Sequence, residues 1–586
     1  MINGYTKNKS VQYLISLLEK HGIKKVVVSP GTTDLEFTAA LQYNGNFEMI
    51  SAVDERGAAY IATGISEISR EPVVICCTEA TASRNYFSGL TESYYRKLPI
   101  LAVTGVHRYA QVGHLIPQVI DRGVSPRDMC VKKVQLPIIK DAEDERETVL
   151  KINDALLELR RNGGGPVHID LPCCNDEYEF ETKTLPEVKK IERYFSFSEE
   201  IPSLPKGKIA VYIGSHHHFS EEETKVIDKF CAQNDAVVFC DHTSGYKGKY
   251  AFKSALVAFQ KNSYDIFNNI ELLIHLGESF ADEKTFEKLK SAKEVWRVHI
   301  DGELRDSFGK LKNVFQMTEK EFFTRYLDDS QEEKKSNIEN CLSLKKEIKI
   351  PYEKLPFSIM YVASKIAPSI PKKSIVHIGA SNSVRAWSLF DFDDSVDVFA
   401  NVGCRGIDGA LSASIGASFL DSSRLTYCML GDLTFFYDIN SLGNRDIKPN
   451  LRILLVNNNG GCIFKLNGAP GHKFFGDETT DQYIAAAGHF GNKSENLVKH
   501  FSEDLGFEYI TASDKDSFES GFEKFTSEDI TDKPIIFEVF TNDFEDRESF
   551  NMMAGIDASD SEKAKNIVKN ILGDKGTQTL RKIMGR

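Results

Sequence analysis

The sequence predicts an α/β protein of three doubly wound, mostly parallel-sheet domains, at residues 1–180, 200–345 and 355–550, followed by a polar tail at 551–586. Three observations carry this reading. At 586 residues the chain is too long for a single hydrophobic core. Short apolar runs alternate with amphipathic stretches along most of its length, the rhythm of a parallel sheet covered on both faces. That rhythm breaks twice. One break is the charged, proline-dotted stretch EYEFETKTLPEVKKIERYFSFSEEIPSLPKG (177–207), read as a linker. The other is LDDSQEEKKSNIENCLSLKKEIKI (327–350), read as a solvated helix or connector.

The elements follow in order. KKVVVSPG (24–31) is a strand ending in a turn. DLEFTAALQYNG (34–45) is a helix with a glycine stop. FEMISAV is a strand, ERGAAYIATGISEISR a helix, PVVICCT and PILAVTG strands, and GGGPVHIDLP (163–172) closes the block. The second block has four strands, in KIAVYIGS, DAVVFCD, ELLIHLG and EVWRVHID. The third has five, in KSIVHIGAS, VDVFANVG, RLTYCMLGD, LRILLVNNN and KPIIFEVF.

Composition removes several function classes. A net charge of −13 argues against a nucleic-acid partner or an acidic membrane surface, both of which need a basic face. No run of 18 apolar residues is present, so no membrane span is expected. MINGYTKNKS lacks the apolar core of a secretory leader, and the eleven cysteines include no CxxC. A cytoplasmic protein with free thiols is expected, Cys76-Cys77 and Cys173-Cys174 among them. SHHHFSEEE (215–223) reads as a loop opening an acidic helix rather than a metal site.

The chemistry concentrates in LGDLTFFYDINSLGNRDIKPNLRILLVNNNGG (430–461). Asp432 ends one apolar run, and Asn457 to Gly460 end the next. In an open parallel sheet, ligands bind beyond the carboxyl ends of the strands. A carboxylate, an amide oxygen and a backbone carbonyl are hard oxygen donors of the kind Mg²⁺ takes, with phosphate oxygens and water completing its octahedron. Leu433 and Thr434 open the next helix, whose free N–H groups favour an anion. The stretch therefore has the parts to hold a Mg-diphosphate.

At this spacing the pattern resembles the GD…NN signature of thiamine-diphosphate enzymes. The resemblance implies Asp432, Asn458 and the Gly460 carbonyl as Mg²⁺ ligands, and the fold's pyrimidine-binding, central and diphosphate-binding domains in that order. It implies Glu55, in DERG (54–57), as the acid that protonates the aminopyrimidine ring of the cofactor. Closer still is the branch of 2-succinyl-5-enolpyruvyl-6-hydroxy-3-cyclohexene-1-carboxylate (SEPHCHC) synthase. SPGTTD (29–34) resembles its SPGSR, GASNSVR (379–385) its GNSxxxR, NVGCRGIDG (401–409) its NRGxxGIDG, GDLTFFYDIN its GDLSxxYDLN and NNNGGCIF (457–464) its NNNGGxIF. On these motifs Ser381, Ile407, Gly431, Leu433, Thr434 and Ile463 match cofactor contacts, Gln118 an active-site glutamine and Phe464 the substrate pocket. His107 and His114 lie near Gln118 in the chain and are candidate proton carriers.

Two arginines of that branch are replaced, by Thr33 and Val402. Valine cannot hold a carboxylate bidentately as arginine does. Thr33, Arg84, Arg108, Arg385, Arg405 and Phe464 are the candidate substrate contacts of a rewritten clamp. The resemblance implies a 2-oxo acid donor, decarboxylation and transfer of the acyl carbanion to an acceptor. It also implies a homodimer or homotetramer with active sites between subunits. The alternatives are a simple 2-oxo acid decarboxylase, SEPHCHC synthase itself, an acetolactate-synthase-like enzyme or a non-catalytic cofactor-binding subunit. A dinucleotide oxidoreductase is disfavoured because no GxGxxG opens a strand–helix unit.

Overall fold

The computed structural model describes residues 3–173, 178–262, 264–328, 330 and 332–556. The predicted tail from 557 onward, and Cys174, lie outside them. The chain forms two compact units. The first runs to Tyr194 and takes in Lys312–Val314, and the second begins at Phe195.

The first unit holds a six-stranded sheet. Its strands are β1 (Lys25–Val28), β2 (Glu48–Ser51), β3 (Val73–Thr78), β4 (Ile100–Val106), β5 (Lys132–Gln135) and β6 (Val167–Pro172), in the order β2-β1-β3-β4-β6-β5. All pairings are parallel. Alternation along each strand serves two apolar layers. Val26, Val28, Val74, Cys76, Leu101 and Val103 lie in one, and Val27, Val73, Ile75, Cys77, Ile100 and Ala102 in the other. Neighbouring Cys76 and Cys77 therefore serve different layers, and burial pushes the Cys77 thiol up to about 12. The described cysteines are free. The predicted helix over 34–45 is Leu35–Asn44, stopped by Gly45 at φ 76°.

The stretch read as a linker contains β7 (Glu192–Phe195). The central block has more strands than the four expected: β8 (Lys208–Ile213), β9 (Val237–Cys240), β10 (Ala251–Lys253), β11 (Ile270–Leu276), β12 (Glu294–Val298) and β13 (Leu311–Gln316). Within the second unit these run β10-β9-β8-β11-β12. β10 and β13 escaped the sequence reading because AFK is very short and LKNVFQ has a mixed polar pattern. The charged run contains the helix Ser336–Glu347, and SHHHFSEEE opens the helix Glu221–Asn234 with a Ser220–Glu223 capping box.

The C-terminal sheet has six strands rather than five: β14 (Ile375–Ile378), β15 (Asp397–Ala400), β16 (Thr426–Gly431), β17 (Leu451–Asn457), β18 (Glu508–Ala512) and β19 (Ile535–Phe540). Their order is β15-β14-β16-β17-β19-β18, all parallel. The missed strand, β18, has a half-buried, mixed pattern. Among the described residues no helix is long and apolar enough to cross a membrane.

Candidate active site

β16 and β17 are direct neighbours, with Gly431 opposite Val456. Their carboxyl ends bring the two halves of the 430–461 stretch together. Asp432 opens the six-residue helix Asp432–Tyr437 and is only 6% exposed. Burial pushes its carboxyl up to about 7. Backbone groups of Leu433 and Gly460 pull the other way, and the Asp546 charge adds to the rise. Among the described residues no lysine, arginine or histidine is ion-paired with Asp432. A buried carboxylate surrounded in this way is poised for a cation, which would restore its ionised form.

The three asparagines do different work. Asn457 is buried and locks the strand end: its Nδ2 donates to Glu538 Oε1 at 2.7 Å, and its carbonyl accepts from the Thr541 N–H at 3.0 Å. Asn459 is exposed and makes the turn at φ 65°. Asn458 stands between them. Its Nδ2 donates to Asp546 Oδ2 at 2.7 Å, which leaves its amide oxygen available as an acceptor or metal ligand. Gly461 follows, its N–H 2.6 Å from the Ala485 carbonyl; a Cβ there would meet the Phe464 ring at 2.9 Å. Asp432 and Asn458 thus bring hard oxygens to two adjacent strand ends, and the Gly460 carbonyl, the third predicted donor, accepts from the Cys462 N–H at 3.1 Å.

Other predicted contacts gather at this end of the sheet. A Cβ on Gly379 would stand 3.6 Å from Thr434 Cγ2, so the β14 turn that carries Ser381 runs close to Thr434. Ser381 has φ 68° and precedes the helix Asn382–Trp387. The Asn382 amide oxygen is buried without a hydrogen-bond partner. Ile407 and Ile463 are half-buried, and Phe464 is exposed.

The two candidate arginines of the second unit, Arg385 and Arg405, are engaged by the segment before and into the helix Glu283–Leu289. Arg385 Nη2 lies 3.0 Å from Glu283 Oε2. Arg405 donates to the Phe280 carbonyl at 2.6 Å and covers that ring at 4.4 Å. Burial works to raise the Glu283 carboxyl, but Arg385 and Arg405 hold it below its usual range. Val402 is buried.

In the first unit, Asp54 caps the helix Glu55–Ser69, accepting from the Arg56 and Gly57 N–H groups at 3.2 and 3.1 Å. Glu55 is half-buried and accepts from Asn85 Nδ2 at 3.2 Å. Thr33 is buried, and its hydroxyl is hydrogen-bonded to that of Thr78. Its carbonyl passes so near β4 that a Cβ on Gly105 would sit 2.2 Å away. Arg84 donates to the Asp121 carbonyl at 2.8 Å, while Arg108, His114 and Gln118 are exposed, Gln118 at φ 69°. His107 is paired: its Nδ1 is 2.5 Å from Oε1 of the buried Glu79.

The family description "Thiamine pyrophosphate enzyme, N-terminal TPP binding domain" matches residues 8–124. The 2-succinyl-5-enolpyruvyl-6-hydroxy-3-cyclohexene-1-carboxylate synthase of Bacteroides thetaiotaomicron is 30% identical over 554 residues, covering 92% of this chain and 97% of the relative. The enzyme of that name from Bacteroides fragilis is 30% identical over 559 residues with the same coverage. That from Flavobacterium johnsoniae is 29% identical over 560 residues, again 92% and 97%. The chain belongs to the thiamine-diphosphate enzyme family. Within that family it stands near the SEPHCHC synthases.

For a thiamine-diphosphate enzyme the C-terminal site fits the cofactor's charged end: a buried carboxylate without a cationic partner among the described residues, an amide oxygen turned from its partner, and the Ser381 turn running close to Thr434. The sequence reading missed Asp546, Glu538, Glu79 and the buried Asp34, whose carboxyl burial pushes up to about 6. Asp546 had a signal. It shares the buried face of its helix with Ser549, Phe550 and Met553, so an acid occupies an apolar stripe.

Proposed function

We propose that the chain is a thiamine-diphosphate- and Mg²⁺-dependent carboligase that decarboxylates a 2-oxo acid and joins the acyl carbanion to an acceptor. The observation that carries this reading is the Asp432–Asn458 pair at adjoining strand ends, with the amide nitrogen of Asn458 already committed. Asp432, Asn458 and the Gly460 carbonyl hold Mg²⁺. Gly431, Leu433, Thr434 and Ser381 would hold the diphosphate, and Ile407 and Ile463 would contact the cofactor's rings. Thiamine diphosphate supplies the electron sink for the carbon left when CO₂ departs. Glu55 would exchange a proton with the cofactor's aminopyrimidine; Gln118, Thr33, Arg84 and Arg108 of the first unit, and Arg385, Arg405 and Phe464 of the second, are the candidate substrate contacts.

The relatives' name makes formation of 2-succinyl-5-enolpyruvyl-6-hydroxy-3-cyclohexene-1-carboxylate the second reading, supported by identity spread over 97% of their length. Self-association into a homodimer or homotetramer belongs to the proposal. Its support is the exposed apolar side of the helix Glu55–Ser69, with Tyr60, Ile61 and Ile68 at 47, 43 and 86% exposure.

The test is CO₂ release from a panel of 2-oxo acids with thiamine diphosphate and Mg²⁺, with and without isochorismate, using the native chain and Glu55→Gln. Turnover of one donor that depends on acceptor and is abolished by Glu55→Gln is the expected result. Aldehyde release without acceptor would replace carboligation by simple decarboxylation. Turnover of 2-oxoglutarate only with isochorismate would select the second reading. No turnover of any donor with any acceptor, with cofactor bound, would leave a non-catalytic subunit.

A further inference from the structure

An amide ligand has a problem that a carboxylate does not. Its oxygen and its NH₂ are nearly the same size, and only the oxygen can face a cation. The partner behind the amide must therefore choose its orientation. In this chain that partner is Asp546, 88 positions away in sequence. It is fully buried, on the helix Asp543–Ala554. Its Oδ2 accepts from Asn458 Nδ2 at 2.7 Å and from Thr541 Oγ1 at 3.1 Å. Its Oδ1 accepts from the Ile359 N–H at 2.8 Å, at the start of the helix Ile359–Ile366. These partners are all donors, so the group acts as an ionised acceptor, and only an NH₂ can be turned toward it.

Resting on the Mg²⁺ reading above, we propose that Asp546 is the positioning residue of the metal site: it turns the Asn458 NH₂ inward and so presents Asn458 Oδ1 to the cation. A backbone turn could hold the asparagine in place. It could not tell the two ends of the amide apart.

The experiment is a Mn²⁺ titration of the full chain with thiamine diphosphate, read by loss of the free-Mn²⁺ electron spin resonance signal. Asp546→Asn should weaken Mn²⁺ binding about 10- to 100-fold, the usual cost of losing an outer-shell partner. The introduced amide can still accept from Ile359, but its own NH₂ opposes that of Asn458. The decisive variant is the double exchange Asn458→Asp with Asp546→Asn. The amide introduced at 546 then donates to the carboxylate introduced at 458, whose other oxygen faces the metal. Recovery of more than half of the lost affinity, on a logarithmic scale, is the expected result, and a merely structural acid would not produce it.

Native-like Mn²⁺ binding by Asp546→Asn would overturn the proposal. So would a double variant as weak as the single one with an unchanged far-UV spectrum. If the single variant does not fold, the double variant decides alone: folded with metal supports the proposal, folded without metal overturns it. If the native chain takes up no Mn²⁺, or Asp432→Asn takes it up equally well, the Mg²⁺ reading has failed first, and the proposal falls with it.

Discussion

The first and last sheets have the same strand order, yet their third and fourth strands end in opposite chemistry. In the first unit β3 is followed by Glu79 and β4 by His107. In the C-terminal sheet β16 is followed by Asp432, and Asn458 comes directly after β17. Glu79 and His107 close on each other at 2.5 Å. Among the described residues Asp432 and Asn458 do not: one is buried without a cationic partner, and the other is drawn back by Asp546. Equal topology thus gives one pair closed on itself and one pair held apart, with Asp432 bonded by backbone groups and Asn458 by Asp546, and what lies behind each pair decides which.

The largest expected effect is on the open pair. Asp432→Asn should lower metal-dependent retention of thiamine diphosphate by about 100-fold or more, beyond the range for outer-shell partners, as measured by equilibrium dialysis. Retention within threefold of the native chain would break the contrast at its centre.

The second effect is a difference in sign with pH. His168, in the first unit, is buried and pushed down to about 3, against roughly 6.5 when unfolded. Between those values the unfolded chain binds a proton that the folded one refuses. Through His168 alone the first unit should therefore lose stability as pH falls from about 6.5 toward 3, by about 1.4 kcal/mol per unit, while Asp34, pushed up to about 6 by burial, works the other way between about pH 6 and 4. Burial works to raise the Asp170 carboxyl, but His168, Arg122 and Lys133 hold it below its usual range, which adds a loss only below about pH 4. At the Asp432 site of the C-terminal sheet the sign reverses, while burial lowers the His377 imidazole on β14 and opposes the gain. Burial pushes Asp432 and Asp546 up to about 7 and 6. The metal-free fold then binds protons that the unfolded chain releases, and it gains stability as pH falls from about 7 to 4. Hydrogen exchange of β6 and β16 peptides at pH 5 and 7, corrected for intrinsic rates, reads both slopes. Slopes of one sign would refute this.

The closed pair gives a smaller effect. Glu79→Gln should cost about 1–3 kcal/mol in denaturant unfolding, because His107 loses a charged acceptor, while Mn²⁺ binding stays as in the native chain. The smallest change is expected at Asn459→Gly. The residue is exposed at φ 65°, so glycine there should shift stability by less than about 1 kcal/mol and leave metal affinity alone. A large loss of affinity would mean that the three asparagines are not divided as described.

Much of the fold was legible in the chain because strands such as VVICCT and LRILLV are buried along nearly their whole length, and fully buried strands read as apolar runs. Short or mixed-pattern strands, β5, β7, β10, β13 and β18, were lost for the converse reason. In the site, Asp432 and the asparagine cluster were visible because two adjacent strand ends leave a local mark. Glu79 and Asp34 left none, since their burial depends on what packs over them. The candidate clamp arginines Arg385 and Arg405 are engaged by Glu283 and Phe280, partners more than a hundred positions away that leave no mark beside them in the sequence.

The sequence by itself determined the strand–helix alternation, the placement of oxygen donors at strand ends and the family pattern, because each is written in neighbouring residues. Only the tertiary structure decided which asparagine keeps a free oxygen. That choice depends on Asp546, brought in by a helix far along the chain, and a hydrogen bond between distant segments has no period or spacing in sequence. The physical reason is burial: a carboxylate removed from water must find donors, and the fold alone chooses which donors are within reach.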